Sequence, residues 1–154
     1  MELKELLVRL PEHAGEYLVC ADESATVNSI RLMTHDQTEF RPDTLYFGEF
    51  SLLPETLRAD QFLCFVGYGA HELPSYYASH DNSNIIALNP ETDPLVCFNE
   101  LQAFFVEEQE LTDKIRRILM ALLSNNGLQY LIDEAGETLD NPIFVIDNSY
   151  QYIA

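Results

Sequence analysis

The chain has 154 residues, enough for one domain of ordinary size or for a compact domain with part of a second one. Acidic residues outnumber basic residues by 26 to 8, which gives a formal net charge of −18, and the acidity is spread along the chain. This charge disfavours direct contact with nucleic acid, which requires clustered Lys and Arg, and an apolar content of 47% excludes a disordered chain.

The three cysteines, Cys20, Cys64 and Cys97, are far apart, and each lies in an apolar context. This pattern predicts buried free thiols in a reducing compartment. No apolar run approaches the roughly 20 residues of a membrane span, and the N-terminus lacks the basic-then-apolar order of a signal peptide. We therefore expect a cytoplasmic protein without membrane attachment.

The first elements in chain order are a short helix and a series of strands. Leucines at helical spacing predict a helix from Glu2 to Leu10, ended by Pro11. Short apolar runs bounded by turn residues are typical of strands buried on both faces of a parallel sheet, and a helix is expected to begin within 54–59 as one crossover. The predicted strands are 27–33, 44–48, 61–67 and 84–88, and the run at 18–20 is a candidate for a further brief strand. We expect an α/β fold over residues 1–97, with flanking helices and three or four mainly parallel strands.

A long helix is predicted over 98–124, because this stretch lacks Gly and Pro. Its apolar residues alternate at spacings of three and four, with an acidic interruption at Glu108 and a stripe widened by Phe105 and Leu119. This helix either covers the chain's own sheet or is a dimerising signal helix that joins two modules, and both roles are compatible if its halves differ. The predicted dimer interface consists of Leu101, Phe104, Leu111, Ile115, Ile118 and Leu122.

The C-terminal region is expected to contain a second helix and a β-hairpin. The long helix is expected to end at a left-handed cap near 125–127. The second helix is predicted over 128–139 and the hairpin over 142–147 and 150–153. A lone hairpin is only marginally stable, so a further sheet domain is expected to continue beyond it. The sequence is therefore divided into a small α/β domain at 1–97, a connecting helix at 98–126 and the start of another domain at 127–154.

The sequence contains no recognisable catalytic or metal centre. None of the four histidines, His13, His35, His71 and His80, has a partner at metal-ligand spacing. The Thr-His-Asp and Ser-His-Asp triplets at 34–36 and 79–81 lack a nucleophile signature and are interpreted as surface loops. We therefore predict no enzymatic activity, no metal and no cofactor.

One segment after a predicted strand has the composition of a ligand pocket. The two-glycine loop at 67–70 lies where α/β folds often expose a binding site, and residues 72–80 combine aromatic and polar side chains. Tyr76, Tyr77 and His80 are the candidate ligand-binding residues. The alternative is that the two tyrosines pack against the sheet.

A series of short motifs resembles a known family. In order these are PDTLYFG at 42–48, LP at 53–54, NIIAL at 84–88, FNELQ at 98–102, LQYLID at 128–133 and NPIFVID at 141–147. Their order resembles the N-terminal sensory region of bacterial transcription regulators of the purine-catabolism and sugar-diacid regulator type, from about Leu45 onward. The resemblance implies that a GAF-like domain opens at 127–154 and that a helix-turn-helix, which has no counterpart in this chain, contacts DNA.

The leading functional hypothesis is a non-enzymatic sensory module of a transcriptional regulator, a homodimer that responds to a small-molecule effector and signals through the long helix without touching nucleic acid. The first alternative is a stand-alone acidic module that binds a basic partner. The second alternative is a small hydrolase or transferase with a pocket within 67–80.

Overall fold

The computed structural model describes residues 1–10, 13–58, 62–69 and 73–146, without the side chain of residue 14. The chain divides into two compact units, Met1–Phe105 and Val106–Ala154. The helices and strands are α1 (Leu3–Arg9), β1 (Ala14–Cys20), β2 (Ser29–Leu32), β3 (Thr44–Glu49), β4 (Leu63–Tyr68), β5 (Ser83–Leu88), α2 (Pro94–Leu123) and α3 (Leu128–Leu139), with 3₁₀ turns at Phe50–Leu52 and Ser75–Ala78.

The strands form one sheet in the order β1-β5-β4-β3-β2. Strands β2 to β5 are parallel, and β1 pairs antiparallel with β5 at the edge. The predicted α/β fold with a mainly parallel sheet is confirmed. The fifth strand arises because β1 begins at Ala14, before the apolar run at 18–20, and pairs with β5 through two register irregularities. Polar residues and a bulged edge position obscure the period of this strand in the sequence.

Both faces of the sheet are buried, which explains the continuous apolar runs of its central strands. One face packs against α1 and α2 and forms the first core, which includes Leu45, Cys64, Val66, Ile86, Leu3, Leu6, Cys97 and Leu101. The other face carries no long helix among the described residues and is covered by loops and 3₁₀ turns. This second core includes Tyr46, Phe50, Leu53, Phe65, Tyr77 and Ile85.

Small residues make room for an aromatic ring on the second face. Gly48, Gly67 and Ala87 are register partners across β3, β4 and β5. A Cβ atom built on Gly67 would lie 2.4 Å from Cε1 of Phe50. Gly67 therefore allows the 3₁₀ turn after β3 to lie directly on the sheet.

The prediction of a helix beginning within 54–59 is wrong for its described part, because residues 54–58 contain no helix. Side chains from a distant segment bind the carbonyl groups of this loop instead: the Tyr77 hydroxyl donates to Pro54 O at 2.9 Å, and the Tyr76 hydroxyl donates to Leu57 O at 3.2 Å. Residue 59 lies outside the described part of the chain.

The long helix begins four residues earlier than predicted. Asp93 Oδ1 accepts the backbone N–H of Leu95 at 2.9 Å, and Pro94 occupies the first helical position, where its missing N–H has no cost. Asn125 adopts a left-handed conformation after α2, and α3 has the predicted bounds. Residues 142–145 form no strand, and the predicted partner strand at 150–153 lies outside the described residues.

Candidate functional site

The segment 73–80 brings two of the three candidate ligand residues together. The rings of Tyr76 and His80 stack with centroids 4.0 Å apart and an interplanar angle of 11°. Asn82 Nδ2 donates to the Tyr76 hydroxyl at 2.8 Å, so this hydroxyl is both an acceptor and, toward Leu57 O, a donor. The ring of Tyr76 is therefore held in place by two hydrogen bonds at its hydroxyl group and by the stacked His80 ring.

Tyr77 lies on the other side of this turn, inside the second core. It is 2% exposed, and its ring meets Phe65 edge-on at 6.3 Å. Its hydroxyl donates to Pro54 O, and burial raises its pKa. Tyr77 thus anchors the loop at 53–58 to the sheet and presents no atom to an outside ligand, as the packing alternative expects.

Ser79 and His80 lie at hydrogen-bond distance, but both side chains also contact the Tyr76 carbonyl. His80 Nδ1 lies 3.0 Å from Tyr76 O, which can only accept, so a hydrogen bond there requires the tautomer in which Nδ1 carries the proton. A protonated Nδ1 cannot take the proton of the Ser79 hydroxyl, although that oxygen is also 3.0 Å away. The Ser79 hydroxyl itself donates to Tyr76 O at 3.1 Å. His35 is exposed on a separate loop, and His71 lies outside the described residues.

A shallow depression borders the stacked pair. It is lined by Glu55, Thr56, Leu73, Pro74, Ser75, Tyr76 and Ser79. These residues offer hydroxyl groups, one carboxylate and an apolar floor, which suits a small polar or cationic molecule better than an anion. Of the three predicted residues, only Tyr76 lines this depression.

The carboxyl ends of β4 and β5 form a second concave region beside the start of α2. Its lining includes Tyr68, Gly69, Asn89, Thr92 and Pro94. The Asp93 carboxylate accepts the Leu95 N–H at the α2 N-terminus and places a negative charge there, which disfavours an external anion.

The first third of α2 is used inside the unit Met1–Phe105. Cys97, Leu101 and Phe105 are buried in the first core. Phe104 is half-buried, with the Arg9 guanidinium 5.7 Å from its ring centroid. Leu101 and Phe104 of the predicted dimer interface are therefore packed against the chain's own sheet and α1, because the sheet extends as far as these two turns of the helix.

In the later part of α2 the same stripe is left largely exposed by the described residues. Leu111, Ile115, Leu119 and Leu122 are each about half exposed, and Ile118 is partly exposed. At about 100° per residue, these positions lie on the helix face that carries Cys97, Leu101 and Phe104. We call Leu111, Ile115, Ile118, Leu119 and Leu122 the exposed stripe. From the sequence, Leu119 was expected to widen the apolar stripe, but it was not among the residues of the predicted dimer interface.

The opposite side of this part of α2 faces α3. Ala121 and Ile132 are buried, and Arg117 Nη2 lies 4.0 Å from Glu134 Oε2 on α3. A small depression between Arg116, Met120 and Tyr130 marks the same side. The exposed stripe therefore points away from α3.

The thiols divide into two kinds. Cys64 and Cys97 are fully buried, and burial raises their pKa to about 12 and about 11, respectively. The expectation that all three are buried is wrong for Cys20, which is exposed at the end of the edge strand β1. Partial burial and the nearby carboxylates of Glu23 and Asp22 raise its pKa.

Among the described residues, no group of three or more His, Cys, Asp or Glu side chains is placed to hold a metal ion. Within the same ranges, no helix is both long enough and apolar enough to cross a membrane.

Comparisons with known proteins do not assign the chain to a family. No family model matches it, and no curated protein or solved structure is significantly similar. The resemblance to the purine-catabolism and sugar-diacid regulators therefore stays a prediction, carried by the motifs of the sequence alone.

Proposed function

We propose that this chain is a non-enzymatic regulatory module of a transcriptional regulator, in which α2 transmits changes in the packing of the sheet to residues 106–123. The observation that carries the relay is that one unbroken helix of 30 residues belongs to both compact units. The transcriptional role is supported by the resemblance of the sequence motifs to those of the purine-catabolism and sugar-diacid regulators. A helix is a stiff element, so a displacement of its packed end moves its other end.

The packed end of α2 is tied to the sheet through the first core. Leu101 is fully buried among side chains that include Val66 of β4 and Ile86 of β5. The neighbouring residues of these strands, Phe65 and Ile85, face the second core beneath the segment 73–80. A change in packing above the sheet can therefore reach α2 through two central strands, because a close-packed core transmits strain.

The proposed effector site is the depression beside Tyr76. Its wall is tied to the second core by the hydrogen bonds from Tyr76 to Leu57 and from Tyr77 to Pro54. A bound molecule that displaced this wall would disturb the second core. An effector acts in this way only if it binds two packing states with different affinity.

The relay is tested in this chain by hydrogen exchange with mass spectrometry. Leu101→Ala creates a cavity in the first core, whereas Val8→Ala changes an exposed residue of α1 and serves as the control. We expect faster exchange over 106–123 in the Leu101→Ala protein and unchanged exchange there in the control. Faster exchange around residue 101 with no change over 106–123 would overturn the relay.

The regulatory role is tested with the protein encoded by the whole reading frame. Removal of residues 1–93, which spares α2, is expected to change the transcription of its target genes. The Val8→Ala substitution is expected to leave transcription as in the wild type. Normal regulation after the deletion would overturn the proposed role.

A further inference from the structure

We infer that the exposed stripe of α2 is covered by the same stripe of a second copy of this chain. This inference rests on the proposed function, because it names the partner of the relay helix.

The spacing of the stripe selects a helix as its partner. The alternating steps of three and four continue beyond Phe105, where the sheet no longer covers the helix. This period matches a second helix that crosses at about 20° with its side chains interleaved. A second helix can pack on the face that carries the stripe, because α3 lies against the opposite side of α2 at Arg117.

The local charge selects a second copy as the source of that helix. The chain carries a net charge of −18, yet three of its eight basic residues, Lys114, Arg116 and Arg117, lie within four positions of the stripe's centre. Residues 106–123 contain four acids against these three bases; the acids are Glu107, Glu108, Glu110 and Asp113. This stretch is nearly neutral, so two copies of an acidic chain repel each other only weakly across it, while a basic partner gains little.

A second copy also satisfies the symmetry of an isologous contact. In a two-fold pair each stripe meets an identical apolar surface, with no charged residue among its five members. Leu101 and Phe104 are absent from this interface because the first core already holds them. The interface is therefore limited to the later half of the predicted seam.

The test compares two charge substitutions on one helix. Ile115 on the stripe is 51% exposed, and Met120 on the opposite side is 63% exposed, so Ile115→Asp and Met120→Asp add the same charge at similarly accessible positions. Sedimentation equilibrium of the full chain measures the mass over about a hundredfold range of protein concentration. Far-UV circular dichroism confirms that both variants are folded, and Leu119→Gln is a milder second change on the stripe.

We expect the wild type and the Met120→Asp protein to approach twice the monomer mass of 17.6 kDa as concentration rises. The Ile115→Asp and Leu119→Gln proteins are expected to dimerise at least tenfold more weakly. Added salt should strengthen wild-type pairing, because it screens the repulsion between two acidic chains. A wild type that stays monomeric, or equal effects at Ile115 and Met120, would overturn the inference. The hydrogen-exchange test of the relay is independent of either result, since it is run on the monomer at low concentration.

Discussion

Asn84 is a fully buried polar residue whose replacement gives a sharp test of how the sheet edge is held. Its Oδ1 accepts the backbone N–H groups of Ala21 at 2.9 Å and Asp22 at 3.1 Å, and its Nδ2 donates to Asp22 O. These contacts join β5 to the end of β1, more than 60 residues away in sequence. The side chain replaces the backbone partners that the chain loses where β1 leaves the sheet.

The cost of removing this side chain follows from the three hydrogen bonds. Each contributes about 1 kcal/mol net, so Asn84→Ala is expected to lower the free energy of unfolding by about 3 kcal/mol. Asn84→Asp keeps the acceptor but places a carboxylate in a buried site facing Asp22 O. Burial raises the pKa of such a carboxyl group. The free energy of unfolding of the Asn84→Asp protein should therefore be highest at low pH, where the group is protonated, and should fall as the pH rises through the raised pKa.

Urea unfolding followed by circular dichroism measures the global cost, and hydrogen exchange measures the local one. In the Asn84→Ala protein, the amides of Ala21 and Asp22 should lose protection, while those of β3 keep theirs. The control is Thr26→Ser, which changes an exposed residue and leaves the three hydrogen bonds of Asn84 intact. If Asn84→Ala changed the unfolding free energy by less than about 1 kcal/mol and left both amides protected, the hydrogen bonds of Asn84 would not hold the edge strand.

Three further predictions concern other parts of the sheet unit. Gly67→Ala should lower the unfolding free energy by about 1–3 kcal/mol in urea titration, because its new Cβ would overlap the ring of Phe50; unchanged stability would contradict the packing. Ellman's reagent should label Cys20 in the folded protein but reach Cys64 and Cys97 only after unfolding, and labelling of Cys20 should speed up with salt as its acidic neighbours are screened. Stability should fall as pH rises from about 9 toward 11, because the unfolded chain ionises thiols whose folded pKa is raised; each buried thiol contributes at most about 1.4 kcal/mol per pH unit, and a flat profile would contradict this.

The central strands and the helices could be predicted from sequence because their patterns are local. Strands β3, β4 and β5 are short apolar runs between turn residues, and α3 begins directly after a glycine. The early start of α2 was also readable, since Asp93-Pro94 is a typical N-cap followed by proline at the first helical position. Leu101 was recognised as part of the apolar stripe, but the sequence left open whether it packs against the chain's own sheet or against a second helix.

The parts that could not be predicted depend on distant partners. The loop at 54–58 has no helix because Tyr76 and Tyr77, some 20 residues away, donate to its carbonyl groups. The same hydrogen bonds change the interpretation of the candidate ligand site, because Tyr77 becomes a core residue and the hydroxyl proton of Tyr76 is donated to Leu57 O. Asn84 was read as part of an apolar strand, and only the fold shows the loop that it binds. In each case the deciding contact joins segments whose proximity no local pattern encodes.

The two halves of α2 show where the information in a periodic pattern ends. Leu101 and Ile115 occupy the same face of one helix and have the same chemistry, yet Leu101 is fully buried and Ile115 is half exposed. The difference is set by the sheet, which covers the helix only as far as Phe105. An apolar stripe on a helix therefore predicts that a cover exists without saying whether the chain supplies it. For the first half the cover is the chain's own sheet. For the second half we infer a second copy of the chain, and the comparison of Ile115→Asp with Met120→Asp tests this inference.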